Sequence, residues 1–522
     1  MSELSRLVGQ SLMVQFRGPE VTDEVREAMG RIEPAGVVLF SSNITSREQV
    51  AILCRDLQRE AKTLGLPPLV IAADQEGGTV SRLPADFVTV PSPMAQAATG
   101  DTKATERCAV ISGRQLRAVG ITMNFAPVLD INSQPQNPVI RTRSFGDDPK
   151  QVSVHGLAAL KGYEKAGVIA TAKHFPGHGD TSIDSHLGLP VVSYKRKHLE
   201  RNELMPFSAA IRAGIPAIMT AHIIFSSIDE VPATLSRSVL RDLLRRELDF
   251  DGVIVTDAMD MGAIVDGYGR GPAAVRAKQA GVDLLEMVAP FAFQFEVAEA
   301  LLKAVKSEDL SRKVFERTAA RLAALRHRYQ IVHDVPEPTE PNPKHAIDAL
   351  AIAQRSITVV REDVPLPLAP DVQLAVIDCQ RRRSSIAEDP VNRAAVLKSA
   401  ITAAFPKARH LIVSEEATAR QLSSVRAAAA KADVVLFVTR DADLIDLHAR
   451  LGQELAETKP LIHASVRAPY DTGFIPAAKT TLLTYGDPPV SLQALVDILA
   501  GKAKAEGSAP VRLIEAVAVG VG

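Results

Sequence analysis

Between Lys173 and His186 the chain runs Lys-His-Phe-Pro-Gly-His-Gly-Asp-Thr-Ser-Ile-Asp-Ser-His, with three histidines, two aspartates, a lysine and a threonine in fourteen positions. The apolar run Val168-Ile-Ala-Thr-Ala172 just before it has the composition of a buried strand. Titratable side chains in a Gly/Pro-punctuated loop after such a strand suit chemistry better than packing. Asp184 and His186 stand two apart, so in extended chain they point the same way. Asp184 can then hold the imidazole in one tautomer and raise the basicity of its far nitrogen. Such a pair can protonate a leaving group and later take a proton from water. A turn in which Asp184 only accepts from backbone amides is the plainer alternative. His174, His178, Asp180, Asp184 and His186 are also eligible ligands for zinc or iron. Their spacing matches no recurrent metal motif and the Pro-Gly turn splays them, so neither a metal nor any other cofactor is expected.

Other acids and bases end apolar runs elsewhere. Asp257 closes Gly252-Val-Ile-Val-Thr256, where it either faces a pocket or caps a helix over Ala258–Ile264. Asp74-Gln-Glu-Gly-Gly78 follows another run, with Arg82 close behind. Arg141-Thr-Arg143 follows the run that ends at Asp130. Carboxylates and arginines placed this way hold sugar hydroxyls by charge-assisted hydrogen bonds. A purely structural ion pair is the alternative.

These residues share a pocket only if the elements around them converge. Eight apolar runs predict strands: Ser11–Phe16, Gly36–Phe40, Leu69–Asp74, Thr122–Leu129, Val168–His174, Pro216–His222, Gly252–Asp257 and Val282–Met287. Segments of helical periodicity alternate with them, such as Glu48–Leu64, Thr105–Val119, Pro149–Lys165 and Glu203–Ala213. That alternation predicts an α/β chain whose first part is a TIM-type (β/α)8 barrel, in which strand ends meet on one face. Four prolines between His333 and Lys344 predict a stiff linker. Beyond it Leu374–Ile377, His410–Val413, Val434–Val438, Leu461–Ala464 and Thr481–Thr484 alternate with Ala-rich helices, which predicts a three-layer α/β/α sandwich. The expected division is a catalytic barrel over 1–332, a linker over 333–344 and the sandwich over 345–522. Every candidate group lies before residue 290, so the sandwich is expected to be dispensable for the chemistry.

At 522 residues the chain can bury two cores, and its net charge of −1 gives no electrostatic case for nucleic acid or an anionic membrane. Three scattered cysteines, no apolar stretch of spanning length and no amino-terminal signal pattern predict a cytoplasmic protein. The chain has no Trp and only 4% aromatic residues, which disfavours a long saccharide groove with aromatic platforms.

Together the chemistry-bearing motifs resemble the β-N-acetylhexosaminidases of glycoside hydrolase family 3. The resemblance rests on Asp74-Gln-Glu-Gly-Gly78, Arg143-Ser-Phe-Gly146, Lys173 to Thr181 with Asp184-Ser-His186, Pro232-Ala-Thr-Leu-Ser236 and Val255-Thr-Asp-Ala-Met259. Beyond the linker, Ser356-Ile-Thr358, Pro469-Tyr-Asp471 and Tyr485-Gly486 are similar to the family's second domain. The resemblance implies a retaining mechanism with Asp257 as nucleophile and His186, oriented by Asp184, as acid/base. It also implies that Asp74, Arg82, Asp130, Arg143, Lys173 and His174 bind the sugar. Thr79 departs from the arginine common after Gly-Gly. The implied activity is exo-acting hydrolysis of terminal β-linked N-acetylglucosamine, from a small saccharide or a muropeptide of peptidoglycan turnover. Two rivals are a phosphorylase, since a histidine does not repel phosphate as a carboxylate does, and a non-catalytic sugar-binding protein.

Overall fold

The computed structural model describes residues 2–181, 188–339, 341–381, 388 and 393–515. Eight strands form a barrel: β1 (Leu12–Val14), β2 (Gly36–Leu39), β3 (Val70–Ala73), β4 (Met123–Asn124), β5 (Ile169–Phe175), β6 (Ala217–Thr220), β7 (Val253–Thr256) and β8 (Leu285–Met287). They pair in parallel and in chain order, β8 returning to β1. The seam between β7 and β8 closes through a bridge of Val255 and Leu284, where Thr256 N donates to the Leu284 carbonyl at 3.0 Å. Each strand overlaps one of the eight apolar runs predicted from sequence, β5 extending one residue past its run.

Alternate residues explain why the runs are apolar throughout. Val38, Val70, Ala72, Met123, Val253 and Val255 belong to the core inside the barrel. Their neighbours Val37, Leu39, Ile71 and Ala73 pack outward against the surrounding helices. Local signals set the helix ends. Pro149–Ala166 starts where the Asp148 carboxylate accepts from Lys150 N and Gln151 N, and stops at Gly167 with φ of 71°. That stop delivers the chain into β5, which carries Lys173 and His174.

A second sheet follows: β9 (Thr358–Arg361), β10 (Leu374–Cys379), β11 (Arg409–Val413), β12 (Val434–Thr439), β13 (Leu461–Ser465) and β14 (Thr480–Leu483). Its order is β9-β14-β13-β12-β10-β11, parallel except for the edge strand β9. Val376, Leu436 and Val438 pack on one face with Leu397, Ile401 and Leu492. Ile377, Val435 and Phe437 pack on the other with Val425, Ala429 and Leu451. This is the three-layer sandwich. Sequence reading missed β9, a four-residue edge strand whose partly exposed residues form no apolar run.

Among its described residues the proline-rich segment carries no regular element up to Asn342, and the next helix, Pro343–Ser356, begins within the expected linker. It is fastened to the barrel: His333 Nε2 lies 3.0 Å from the Leu66 carbonyl, and Arg47 Nη1 donates to the Thr339 carbonyl at 2.9 Å. The sandwich also packs directly on the barrel. Met94, Ala95 and Ala98 meet Tyr470, Leu483 and Tyr485, while Cys108 and Ile111 meet Ala349 and Ile352. Among the described residues no helix is long and apolar enough to cross a membrane.

Candidate active site

The carboxyl ends of the barrel strands surround a pocket of about 260 Å3. Asp74, Arg82, Arg143, Lys173, His174 and Asp257 all line it, joined by Phe40, His178, Met219, Asp260 and Glu286. Asp184 and His186 lie outside the described residues. A larger groove of about 830 Å3 between the linker and the helices Arg47–Thr63 and Thr102–Ala118 holds none of these strand-end groups.

Lys173 is the hub. Its Nζ sits 2.6 Å from Asp74 Oδ1 and 2.7 Å from Glu76 Oε1. Arg143 grips the same Glu76 with two bonds of 2.8 Å, and Arg82 Nη2 approaches Asp74 Oδ2 at 3.3 Å. Burial alone would raise both acids, yet the facing cations outweigh it. Asp74 is held below its ordinary range by Lys173 and Arg82, and Glu76 is brought down to about 2 by Arg143 and Lys173. Burial opposes the Lys173 charge, but Asp74 and Glu76 overcome it and raise its pKa. The pocket wall therefore stays ionised at neutral pH. The structural ion pairs are thus present: Glu76 locks Arg143 and Lys173 in place, while Asp74 also lines the cavity.

Asp130 departs from expectation. It is fully buried and does not line the pocket. Its Oδ2 lies 2.7 Å from His174 Nδ1, and its Oδ1 accepts from His174 N at 3.1 Å and His178 N at 2.7 Å. An ionised Asp130 accepts from His174 Nδ1 and so fixes the orientation of a ring that lines the pocket. His178 is held neutral, its pKa lowered to about 4 by burial and then by His174. The Gly-rich loop fits this support closely. A Cβ on Gly179 would stand 1.5 Å from the Ile131 carbonyl oxygen, so only glycine lets the two loops cross.

Asp257 follows β7 at the pocket wall. Its Oδ1 accepts from Ala258 N at 2.8 Å, while the nearby helix starts only at Gly262, after the cap residue Met261. The capping role over Ala258–Ile264 is therefore not taken. His222, another strand-end residue, holds this turn from below: its Nδ1 meets Thr234 Oγ1 at 2.8 Å and its Nε2 the Ala258 carbonyl at 3.0 Å. Thr234 belongs to the Pro232–Ser236 motif, which so acquires a physical purpose. Arg141, grouped with Arg143 in the sequence, turns away from the site and binds Asp443 of the sandwich at 2.8 and 3.0 Å.

A blind pocket with a carboxylate on its wall and a clamp of ionised acids and bases is a place to hold a small polyol while one bond reacts. Residues 4–325 match the model of the glycosyl hydrolase family 3 N-terminal domain. The chain belongs to glycosyl hydrolase family 3. Across the family 3 chain as a whole, a β-hexosaminidase A of Pseudoalteromonas piscicida is 32% identical, covering 97% of this chain and 96% of its own length. A β-hexosaminidase of Methylococcus capsulatus is 35% identical over 62% of this chain and 93% of itself, a match of barrel size. Among solved structures, a family 3 β-N-acetylglucosaminidase from Paenibacillus sp. str. FPU-7 superimposes with a TM-score of 0.92 at 36% identity, covering 99% of this chain and all of the other.

Three wall residues of this family 3 pocket escaped the sequence reading. His178 was considered only as a metal ligand. Asp260 and Glu286 were passed over, although a glutamate inside the apolar run Val282–Met287 was a usable signal. Among the described residues, no group of three or more His, Cys, Asp and Glu side chains is arranged to hold a metal.

Proposed function

We propose that this family 3 chain is a retaining exo-β-N-acetylglucosaminidase, a hydrolase that removes one terminal N-acetylglucosamine by double displacement. The observation that carries the reading is the pocket itself: about 260 Å3, with Asp257 beside the Asp74, Arg82, Arg143, Lys173 and His174 wall. That space suits a single sugar ring, hence exo action. The relatives named as β-hexosaminidases and the structure named as a β-N-acetylglucosaminidase support the choice of sugar. In the first step Asp257 attacks the anomeric carbon, the bond to the aglycone oxygen breaks, and His186, oriented by Asp184, gives that oxygen a proton. In the second step His186 takes a proton from water, which displaces Asp257. The natural substrates we assign are N-acetylglucosaminyl fragments of peptidoglycan turnover, met in the cytoplasm.

Water is favoured over phosphate because the pocket's fixed cations are already engaged. Lys173 lies within 2.7 Å of Asp74 and Glu76, and Arg143 within 2.8 Å of Glu76. A phosphate would have to displace those carboxylates. The test is product analysis on 4-nitrophenyl β-N-acetylglucosaminide in millimolar phosphate, where free N-acetylglucosamine is expected. A predominance of N-acetylglucosamine 1-phosphate would overturn the hydrolase assignment.

A further inference from the structure

Glu286 is buried to 3% exposure, lines the pocket, and sits in β8 at the position that the Val255–Leu284 bridge sets beside Asp257. Among the described residues no hydrogen bond reaches its carboxyl, although its backbone N donates to Thr256 Oγ1 at 3.0 Å. A buried carboxyl facing a cavity without a partner is costly, and the neighbouring buried acids show what relief looks like: Asp74 and Glu76 each have a cation within 3 Å. Lys173, whose charge reaches Glu286, is committed to those two acids.

We propose that Glu286 is a sugar-recognition residue whose carboxyl makes a hydrogen bond with one ring hydroxyl of the sugar in the pocket. This rests on the proposed function and names a specificity contact within it. Burial, then the charges of Asp74 and Asp257, hold Glu286 well above the ordinary carboxylate range, with Lys173 opposing and Asp260 reinforcing. Arg82, Arg143, His174 and His178 complete the wall it faces. Its surroundings thus favour the neutral carboxyl over the carboxylate. A neutral acid donates one hydrogen bond and accepts others, so it can partner a hydroxyl without adding a third negative charge between Asp74 and Asp257. Its depth separates this role from acid/base catalysis: it lies within β8, whereas Asp257 lies beyond the end of β7.

The test pairs two variants with hydroxyl deletions. Wild type, E286Q and E286L are assayed on 4-nitrophenyl β-N-acetylglucosaminide and on its 3-, 4- and 6-deoxy counterparts, with Tm recorded for each. We expect one deoxy substrate to cost wild type tenfold or more in kcat/KM. E286L should lose a similar factor on the parent and no more on that deoxy substrate. E286Q, which keeps a neutral donor and acceptor, should stay within threefold of wild type near pH 6 and hold its rate to higher pH. Equal losses by E286L on all four substrates would overturn the proposal, as would an E286Q that is folded but inactive. If E286L fails to fold, wild-type indifference to all three deletions overturns it instead. Failure of wild type on the parent sugar would count against the proposed function, not against Glu286.

Discussion

At the residue scale the site works by pairing every buried charge, and this makes its parts unequal in what they cost to remove. Asp257 sits at the wall, only partly buried. Asp257→Asn is expected to lower kcat at least a thousandfold, on the order of 4 kcal/mol of barrier, with Tm within about 1 °C of wild type, roughly 1 kcal/mol for a chain this size. A 5-fluoro glycosyl fluoride should label the same residue, and peptide mapping to any other carboxylate would remove Asp257 from its role. Glu76 is different, since it neutralises Arg143 and Lys173 in a buried setting. Removing one partner of such a network strands the others, a loss of about 3–5 kcal/mol. Glu76→Ala should therefore show its main effect in urea denaturation, with activity falling as a consequence. A Glu76→Ala protein of unchanged stability would show that solvent or rearrangement compensates the two cations.

At the element scale the loops at the strand ends depend on close approach more than on their own hydrogen bonds. Gly179 passes the Ile131 carbonyl where a methyl group has no room, and the loop from Asp130 to Gly146 underlies it. Gly179→Ala is expected to push these loops apart, moving the Asp130–His174 pair with them. The expected result is a fall of tenfold or more in kcat/KM, about 1.4 kcal/mol, with a lower Tm. An alanine variant with wild-type kinetics would mean that the crossing relaxes at no cost to the site. The sequence offers a metal reading of the same loop, disfavoured by its spacing, beside a turn reading. The structure distinguishes them for His174 and His178, whose Nδ1 atoms face Asp130 and Thr181.

At the scale of the whole molecule two properties emerge that no single element carries. The first is acid sensitivity. Burial holds His155 and His178 at about 4 and His463 at about 3, each below the ordinary histidine value. Below about pH 6.5 the unfolded chain binds protons that the folded chain refuses, so stability falls with pH until those folded values are reached. Each histidine contributes a slope of up to about 1.4 kcal/mol per pH unit in that window. Tm should drop between pH 7 and pH 5, and His463→Gln should flatten the drop. A Tm independent of pH over that range would contradict it. The second property is the joint between barrel and sandwich. Arg141–Asp443 and the Met94–Tyr485 contacts cross it, yet every pocket residue is on the barrel. A chain ending at Val332 is expected to turn over aryl glycosides within tenfold of full length, at a clearly lower Tm. A folded truncation with no activity would mean that the sandwich completes the site.

The sequence by itself determined the eight strands, the order of layers and six charged or titratable residues of the pocket wall. Strands buried on both faces must be apolar runs, and acids or bases that end such runs meet on one face once the barrel closes. Asp74, Lys173, His174 and Asp257 were legible for that reason, and Arg82 and Arg143 from the motifs that follow such runs. Their partners were not. Whether Arg143 turns inward to Glu76 while Arg141 turns outward to Asp443, or whether Asp130 touches a ligand or a histidine, depends on distances between segments far apart in the chain. Glu286 shows the same limit most clearly: within its run it looks like an interruption, and only the closing of β7 against β8 sets it beside Asp257. Type and spacing carry local geometry, whereas charge state and pairing are properties of the folded interior, where burial and the nearest opposite charge decide them.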